Sequence, residues 1–340
     1  MTFGPSPYLK IRFLKEGKNY DLPIKMEATP VSDPPALYKR LFIYAKEMFP
    51  VWVYLPYVLA LYICMNITVQ AAGGQPIQIG DYAVVGMVSA FFFMLQMRAF
   101  DDLKDFEIDK ELFPWRATPK GLVLKKDLHL LAWTSFGILI LTNILFGQRT
   151  LFFFGLTMLY TLLTYKWFFA EEYHRKHLFF TMLTHQPLPW MINFFLIHTA
   201  LAAQDPKVSF EPVHWIILFV FSLPVTAWEV SRKIRAVGHE THYETFSLLL
   251  GTRFATLIPL TALMLMGGFS LYLGYILGLG TLFAAIVWGM MALALIGYSR
   301  FLIWPTPPNN ILTPVAMGFS ALLFLNLLVH MLVRYDIQFF

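Results

Sequence analysis

Four aspartates, Asp101, Asp102, Asp105 and Asp109, fall within one short stretch of a chain that has only 21 acidic residues among 340. Drawn as a helix at about 100° per residue, they point near 0°, 100°, 40° and 80° and share one face. Carboxylates crowded in this way repel one another unless a multivalent cation lies between them. Their hard oxygens suit Mg²⁺, which keeps several waters and bridges one or two carboxylates to a substrate phosphate. Arg98 precedes the stretch, and Arg116 and Lys120 follow it in Phe113-Pro114-Trp115-Arg116-Ala117-Thr118-Pro119-Lys120-Gly121. The plainer reading is a solvated helix end, with Asp102, Asp105 and Asp109 paired to Lys104, Lys110 and Arg116. The rest of the chain favours the metal site, because ionisable groups beside membrane spans tend to mark function.

The chain is 57% hydrophobic and 14% charged, with a mean hydropathy of +0.58, where soluble domains carry about 25% charged residues. It reads as a polytopic all-α membrane protein. The first residues lack the short apolar core of a signal peptide. Residues 1–46 are polar and broken by Pro5, Pro7, Pro23, Pro30, Pro34 and Pro35, as expected of a cytoplasmic amino-terminal arm. Residues 47–340 form the membrane domain. The single cysteine, Cys64, excludes an intramolecular disulfide and cysteine-ligated zinc or iron–sulfur centres.

A helix needs about 20 apolar residues to cross the hydrocarbon. The charge-free runs predict nine spans, at 51–70, 82–97, 128–146, 151–165, 178–200, 213–228, 254–269, 271–293 and 311–332. Residues 254–299 contain no charged side chain, so two helices are expected there, turned between Gly267 and Gly274. With nine spans, 23 of the 26 lysines and arginines fall on one side. The positive-inside rule makes that side cytoplasmic, together with the amino terminus and both polar loops, and puts the carboxyl terminus opposite. The net charge of +5 is thus spread over span ends and does not point to nucleic acid.

The second polar loop follows span six and carries Glu229, Arg232, Lys233 and Arg235, then Glu240 and Glu244. Glu229 and Lys233 are placed for a helix-surface ion pair. The three cations are equally suited to hold a phosphorylated ligand, and Glu240 and Glu244 to hold a second metal or to balance the charge. An acidic and a basic cluster on one cytoplasmic mouth favour a diphosphate–metal site, since a diphosphate departs readily only when its charge is neutralised. The carbocation left behind needs aromatic walls closed to water, and the chain has 33 Phe, 16 Tyr and 9 Trp.

Asp101-Asp102-x-x-Asp105-x-x-x-Asp109, followed by Arg116-x-x-Pro119-x-Gly121, resembles the first signature of the UbiA superfamily of intramembrane prenyltransferases. Thr245-Phe246-Ser247 with Gly251 looks like the stretch after that family's second aspartate motif. The resemblance runs from about Tyr44 onward. It implies nine helices in a bundle around a central apolar cavity, under a cytoplasmic polar cap. By the same likeness, Asp101, Asp102, Asp105 and Asp109 bind Mg²⁺ and the diphosphate of an isoprenoid substrate, and Arg116 or Lys120 touches its oxygens. Two positions depart from the pattern. Glu229-x-x-Arg232-Lys233 replaces a second Asp-x-x-x-Asp, leaving Glu229 as the remaining acid of the second metal motif, and Ala117 replaces a proline. Fixed charge on Arg232 and Lys233 would then substitute for a second metal.

The expected function is Mg²⁺-dependent transfer of a prenyl group to a small aromatic or lipid-like acceptor among membrane lipids. The alternatives are an acceptor-free terpene cyclase of the same superfamily and a non-enzymatic membrane transporter. His185, His198 and Asn66 are isolated polar groups inside spans, with no role assigned from sequence.

Overall fold

The structure is a computed structural model that describes residues 11–15, 18–22, 34–74, 76–204, 209–239 and 245–339. Glu240 and Glu244 lie outside the described residues. The chain divides into two compact units, 1–51 with 98–133, and 52–97 with 134–340.

The first unit holds an antiparallel hairpin, β1 (Ile11–Lys15) with β2 (Lys18–Leu22), and helix α1 (Leu37–Glu47). One face of α1 buries Arg40 and Tyr44, a turn apart, while Tyr38 and Phe42 face outward. Helix α2 (Val51–Ala72) begins at its edge. The unit also takes in the end of α3 (Asp81–Lys104), all of α4 (Phe106–Leu112) and the start of α5 (Lys125–Phe146). The expectation of a single helix through all four aspartates is corrected here. Helix α3 stops at Lys104, and Asp105, with φ −93° and ψ 5°, stands as the cap residue of α4.

The second unit continues with α6 (Leu151–Tyr165), α7 (Glu171–Lys176), α8 (Leu178–His185), α9 (Pro187–Ala202) and α10 (Pro212–Arg232). It ends with α11 (Phe246–Leu250), α12 (Thr252–Ile276), α13 (Gly280–Ile303) and α14 (Leu312–Arg334). Helix α10 packs against α9, α12 and α14, and α13 joins α12 and α14. A short parallel ladder pairs β3 (Ile77–Ile79) with β4 (Ile337–Phe339).

Seven stretches among the described residues are long and apolar enough to cross a membrane: α2, α3, α5, α10, α12, α13 and Pro307–Arg334, which contains α14. The chain is an all-helical integral membrane protein. The other two expected spans are shorter. Helix α6 has 15 residues, or about 22 Å at 1.5 Å each, below the roughly 30 Å of hydrocarbon. The run 178–200 is interrupted at Gln186, where Pro187, lacking an N–H, opens α9. The Gln186 side chain there donates to Thr226 Oγ1 at 2.8 Å.

The turn expected between Gly267 and Gly274 is also corrected. Helix α12 runs through both, and the chain reverses at Gly278 and Gly280, which take φ of +63° and +85°. A Cβ on Gly274 would meet the ring of Phe283, so this glycine lets α12 approach α13 closely.

The isolated polar groups prove to be partnered. Asn66 lies between Tyr62 and Gln70 in a ladder of side-chain hydrogen bonds along α2. His198 stacks on Phe153 and Phe210. His185 Nδ1 is 3.0 Å from the Thr181 carbonyl and 3.2 Å from Thr184 Oγ1, which is itself 3.1 Å from His174 Nε2. Three consecutive non-glycine residues nearby, Trp167, Phe168 and Phe169, have φ of 51°, 49° and 60°. Such a run costs backbone energy, and the rings of Trp167 and Phe168 pack on both histidines.

Candidate functional site

The last two turns of α3 carry Arg98, Asp101 and Asp102, and each carboxylate there has a cation. Asp101 accepts from Lys104 at 3.0 Å with its side chain 54% exposed. Asp102 is only 5% exposed and is held through both oxygens, by Arg98 on Oδ1 at 2.8 Å and by the Tyr44 hydroxyl on Oδ2 at 2.9 Å. Burial, then the charge of Asp102, push the Tyr44 phenol far above its ordinary value, so its hydroxyl is the donor. On α4, Asp109 is buried and accepts from Arg116 at 2.8 Å, whose guanidinium lies 3.9 Å over the Phe113 ring. Asp101 and Asp109 are both near enough for their charges to act on Asp102. Asp105 is half-buried at the break between the helices.

The stretch after α4 is shaped by its backbone. The carbonyl of the fully buried Ala117 accepts from Leu122 and Val123, and Gly121 takes φ of +75° to close the turn. Lys120 is exposed on this turn. Where α5 begins, the Asp127 carboxylate accepts from the Leu124 N–H at 2.9 Å, a helix-start contact, and binds Arg40 of α1 through two bonds of 2.7 and 2.8 Å.

Of the solvated-end pairings, Asp109–Arg116 forms, while Asp102 pairs with Arg98 and Lys104 with Asp101. Lys110 pairs with Glu107. Sequence reasoning missed Tyr44 and Arg40. Their signal was an Arg and a Tyr four residues apart, on either side of the apolar run Leu41-Phe42-Ile43.

The basic constellation belongs to the second unit, at the end of α10. Glu229 is shared, accepting from Arg232 at 2.6 and 2.8 Å and from Lys233 at 2.9 Å. The Arg232 guanidinium lies 5.0 Å from the Trp228 ring. Arg235 donates to the carbonyls of Arg232 and Ile234, and burial, followed by the nearby charge of Arg232, lowers its pKa from the ordinary arginine value. The Thr245-Phe246-Ser247 stretch works locally. The Thr245 hydroxyl accepts from the Leu248 N–H to cap α11, Ser247 Oγ accepts from the Arg235 N–H, and Gly251, at φ +75°, separates α11 from α12.

Among the described residues, no three His, Cys, Asp or Glu side chains converge to hold a metal ion. The donor type in the acidic stretch nevertheless fits Mg²⁺ in its usual mode, with one or two carboxylates and the remaining ligands from water and substrate. It does not form a closed protein cage.

No protein-family model and no curated protein matches the sequence. Among solved structures, the chain is similar to a digeranylgeranylglyceryl phosphate synthase studied in membranes, with a TM-score of 0.60 at 14% identity, over 86% of this chain and 99% of that one. It is also similar to a UbiA homolog from Aeropyrum pernix K1 in its apo form, with a TM-score of 0.51 at 16% identity, over 79% of this chain and 98% of that one. At these identities the likeness establishes the fold.

Proposed function

We propose that this chain, whose fold is that of the UbiA superfamily, is an intramembrane prenyltransferase that ionises an isoprenoid diphosphate with Mg²⁺ and passes the prenyl group to a small aromatic or lipid-like acceptor. The observation that carries this reading is the pairing in the acidic stretch. Asp101, Asp102 and Asp109 each hold a cation of their own, Lys104, Arg98 and Arg116 respectively. A magnesium diphosphate has the complementary make-up, a metal that takes carboxylates and oxyanions that take guanidinium and ammonium groups. Exchanging partners admits such a ligand without leaving any charge unpaired, which matters most for the buried Asp102 and Asp109.

In the reaction, the bond between the prenyl carbon and the diphosphate oxygen breaks, and its electron pair leaves with the diphosphate. Bound Mg²⁺ would supply charge neutralisation of that leaving group. Asp101, Asp102 and Asp109 would hold the ion, while Arg98, Lys104 and Arg116 turn to the phosphate oxygens. The acceptor then attacks the allylic carbon and loses a proton. Within the second unit, Arg232, Lys233 and Arg235, with Glu229 as their resting counter-ion, are cations of the kind that hold phosphate. The distribution of lysine and arginine supports a cytoplasmic amino terminus and cytoplasmic polar loops.

The test is to incubate purified protein in detergent with geranyl, farnesyl and geranylgeranyl diphosphates, with and without Mg²⁺ and candidate phenolic or lipid alcohol acceptors. Diphosphate release and the masses of extracted products are measured. Mg²⁺-dependent release with a prenylated acceptor, lost in Asp109→Asn, is the expected result. A cyclised hydrocarbon formed without acceptor would replace transfer by cyclisation, and no binding of any diphosphate would overturn the reading.

A further inference from the structure

The two oxygens of Asp102 are held unequally. Arg98, on Oδ1, has a side chain 35% exposed, so it can turn to an incoming anion when a metal ion takes its place on Asp102. Tyr44, on Oδ2, is 1% exposed, and its hydroxyl forms no second hydrogen bond among the described residues. Breaking that contact would strand a buried donor. Tyr44 is fixed from behind as well. One turn earlier on the same face of α1, Arg40 makes its two-bond pair with the buried Asp127, and a third bond of 2.6 Å to the Pro35 carbonyl. Helix α1 is therefore fastened at both ends of the segment between α3 and α5, to Asp102 where it begins and to Asp127 where it closes.

We infer that Tyr44 is a positioning residue of the diphosphate site: it keeps Asp102 Oδ2 throughout, so that Asp102 offers only Oδ1 to the metal-bound diphosphate as Arg98 lets go. Helix α1 is on this account a working part of the site. Arg40 is the anchor that keeps Tyr44 in place, and Asp102 binds as a one-oxygen ligand of fixed direction. The inference rests on the reading of the acidic stretch as a diphosphate site.

The experiment uses the full chain in detergent, with Mn²⁺ as a spectroscopic stand-in for Mg²⁺ and inorganic pyrophosphate as the anion. Mn²⁺ affinity is measured by electron paramagnetic resonance for the wild type, Tyr44→Phe and Asp102→Asn. Tyr44→Phe is expected to weaken Mn²⁺ binding about 5–20-fold, the scale for losing one hydrogen bond to a charged group. In turnover, it raises the Mg²⁺ concentration needed for half-maximal rate by a similar factor while kcat at saturating Mg²⁺ stays within about two-fold, a split that a merely structural tyrosine would not produce. Unchanged Mn²⁺ affinity in Tyr44→Phe, with binding lost in Asp102→Asn, overturns the role of Tyr44 and leaves the function standing. No pyrophosphate-dependent Mn²⁺ binding by the wild type overturns the function itself. A measurement on the wild type alone guards against a variant that does not fold. Mg²⁺ with pyrophosphate should slow amide exchange across 39–47, and unchanged exchange there counts against the inference.

Discussion

The acidic stretch around Asp102 and the basic stretch around Glu229 use the same residue types in opposite proportions. In the first, Asp102, Asp101 and Asp109 pair with Arg98, Lys104 and Arg116 respectively, and Asp102 and Asp109 are buried. In the second, one glutamate with a 19% exposed side chain serves both Arg232 and Lys233, and Arg235 adds a further positive charge. The first arrangement cannot lose a cation unless another takes its place, because a buried carboxylate left alone is strongly unfavourable. The second holds positive charge in excess and gains from any anion. On the proposed function, the first arrangement suits an exchange of partners and the second the attraction of an anion.

That contrast can be broken most directly by removing acids. Asp102→Asn and Asp109→Asn should each lower kcat/KM for the isoprenoid diphosphate by about 10²–10³-fold, the scale for losing a group that meets transition-state charge, whereas Glu229→Gln should cost no more than about 10-fold. Equal losses at all three positions would make Glu229 a metal ligand and end the distinction. A stability comparison comes next. Arg40→Leu, which leaves Asp127 buried without its partner, should lower the melting temperature in detergent by about 5 °C or more. Arg232→Leu, at the exposed pair, should move it by about 1 °C or less. The smallest effect sharpens the picture furthest. Freed of its carboxylate, the basic set in Glu229→Gln should bind inorganic pyrophosphate about 2–5-fold more tightly, with a steeper dependence on salt. Weaker binding would mean that Glu229 itself contacts the ligand through a metal.

The sequence made some of this legible and hid the rest for physical reasons. The spacing of Asp101, Asp102, Asp105 and Asp109 is local, and so is the Glu229–Lys233 pair expected one helical turn apart, which forms. The break at Asp105 was not visible, because nothing in Lys104-Asp105-Phe106 is a strong helix breaker. Gly267 and Gly274 read as a turn under soluble-protein logic, yet in a membrane helix glycine serves close packing, and the reversal falls at Gly278 and Gly280. Tyr44 and Arg40 escaped notice because their partners, Asp102 and Asp127, are 58 and 87 residues away. No periodicity reports such a contact. His185 looked isolated for a different reason: its partners are the nearby threonines Thr181 and Thr184, the second of which also reaches His174.

The ladder between Ile77–Ile79 and Ile337–Phe339 has a consequence for biosynthesis. A nascent chain lays down residues 77–79 early and 337–339 almost a whole chain later, so those first three residues wait at the end of α2 with their strand edge open while every later helix is inserted. The pair closes only after Arg334 has ended α14. Tyr44 and Asp102, by contrast, can meet as soon as α3 has been made. The contact at the acidic stretch is thus available from the first third of synthesis, and the ladder comes last, as the fastening of an already threaded bundle.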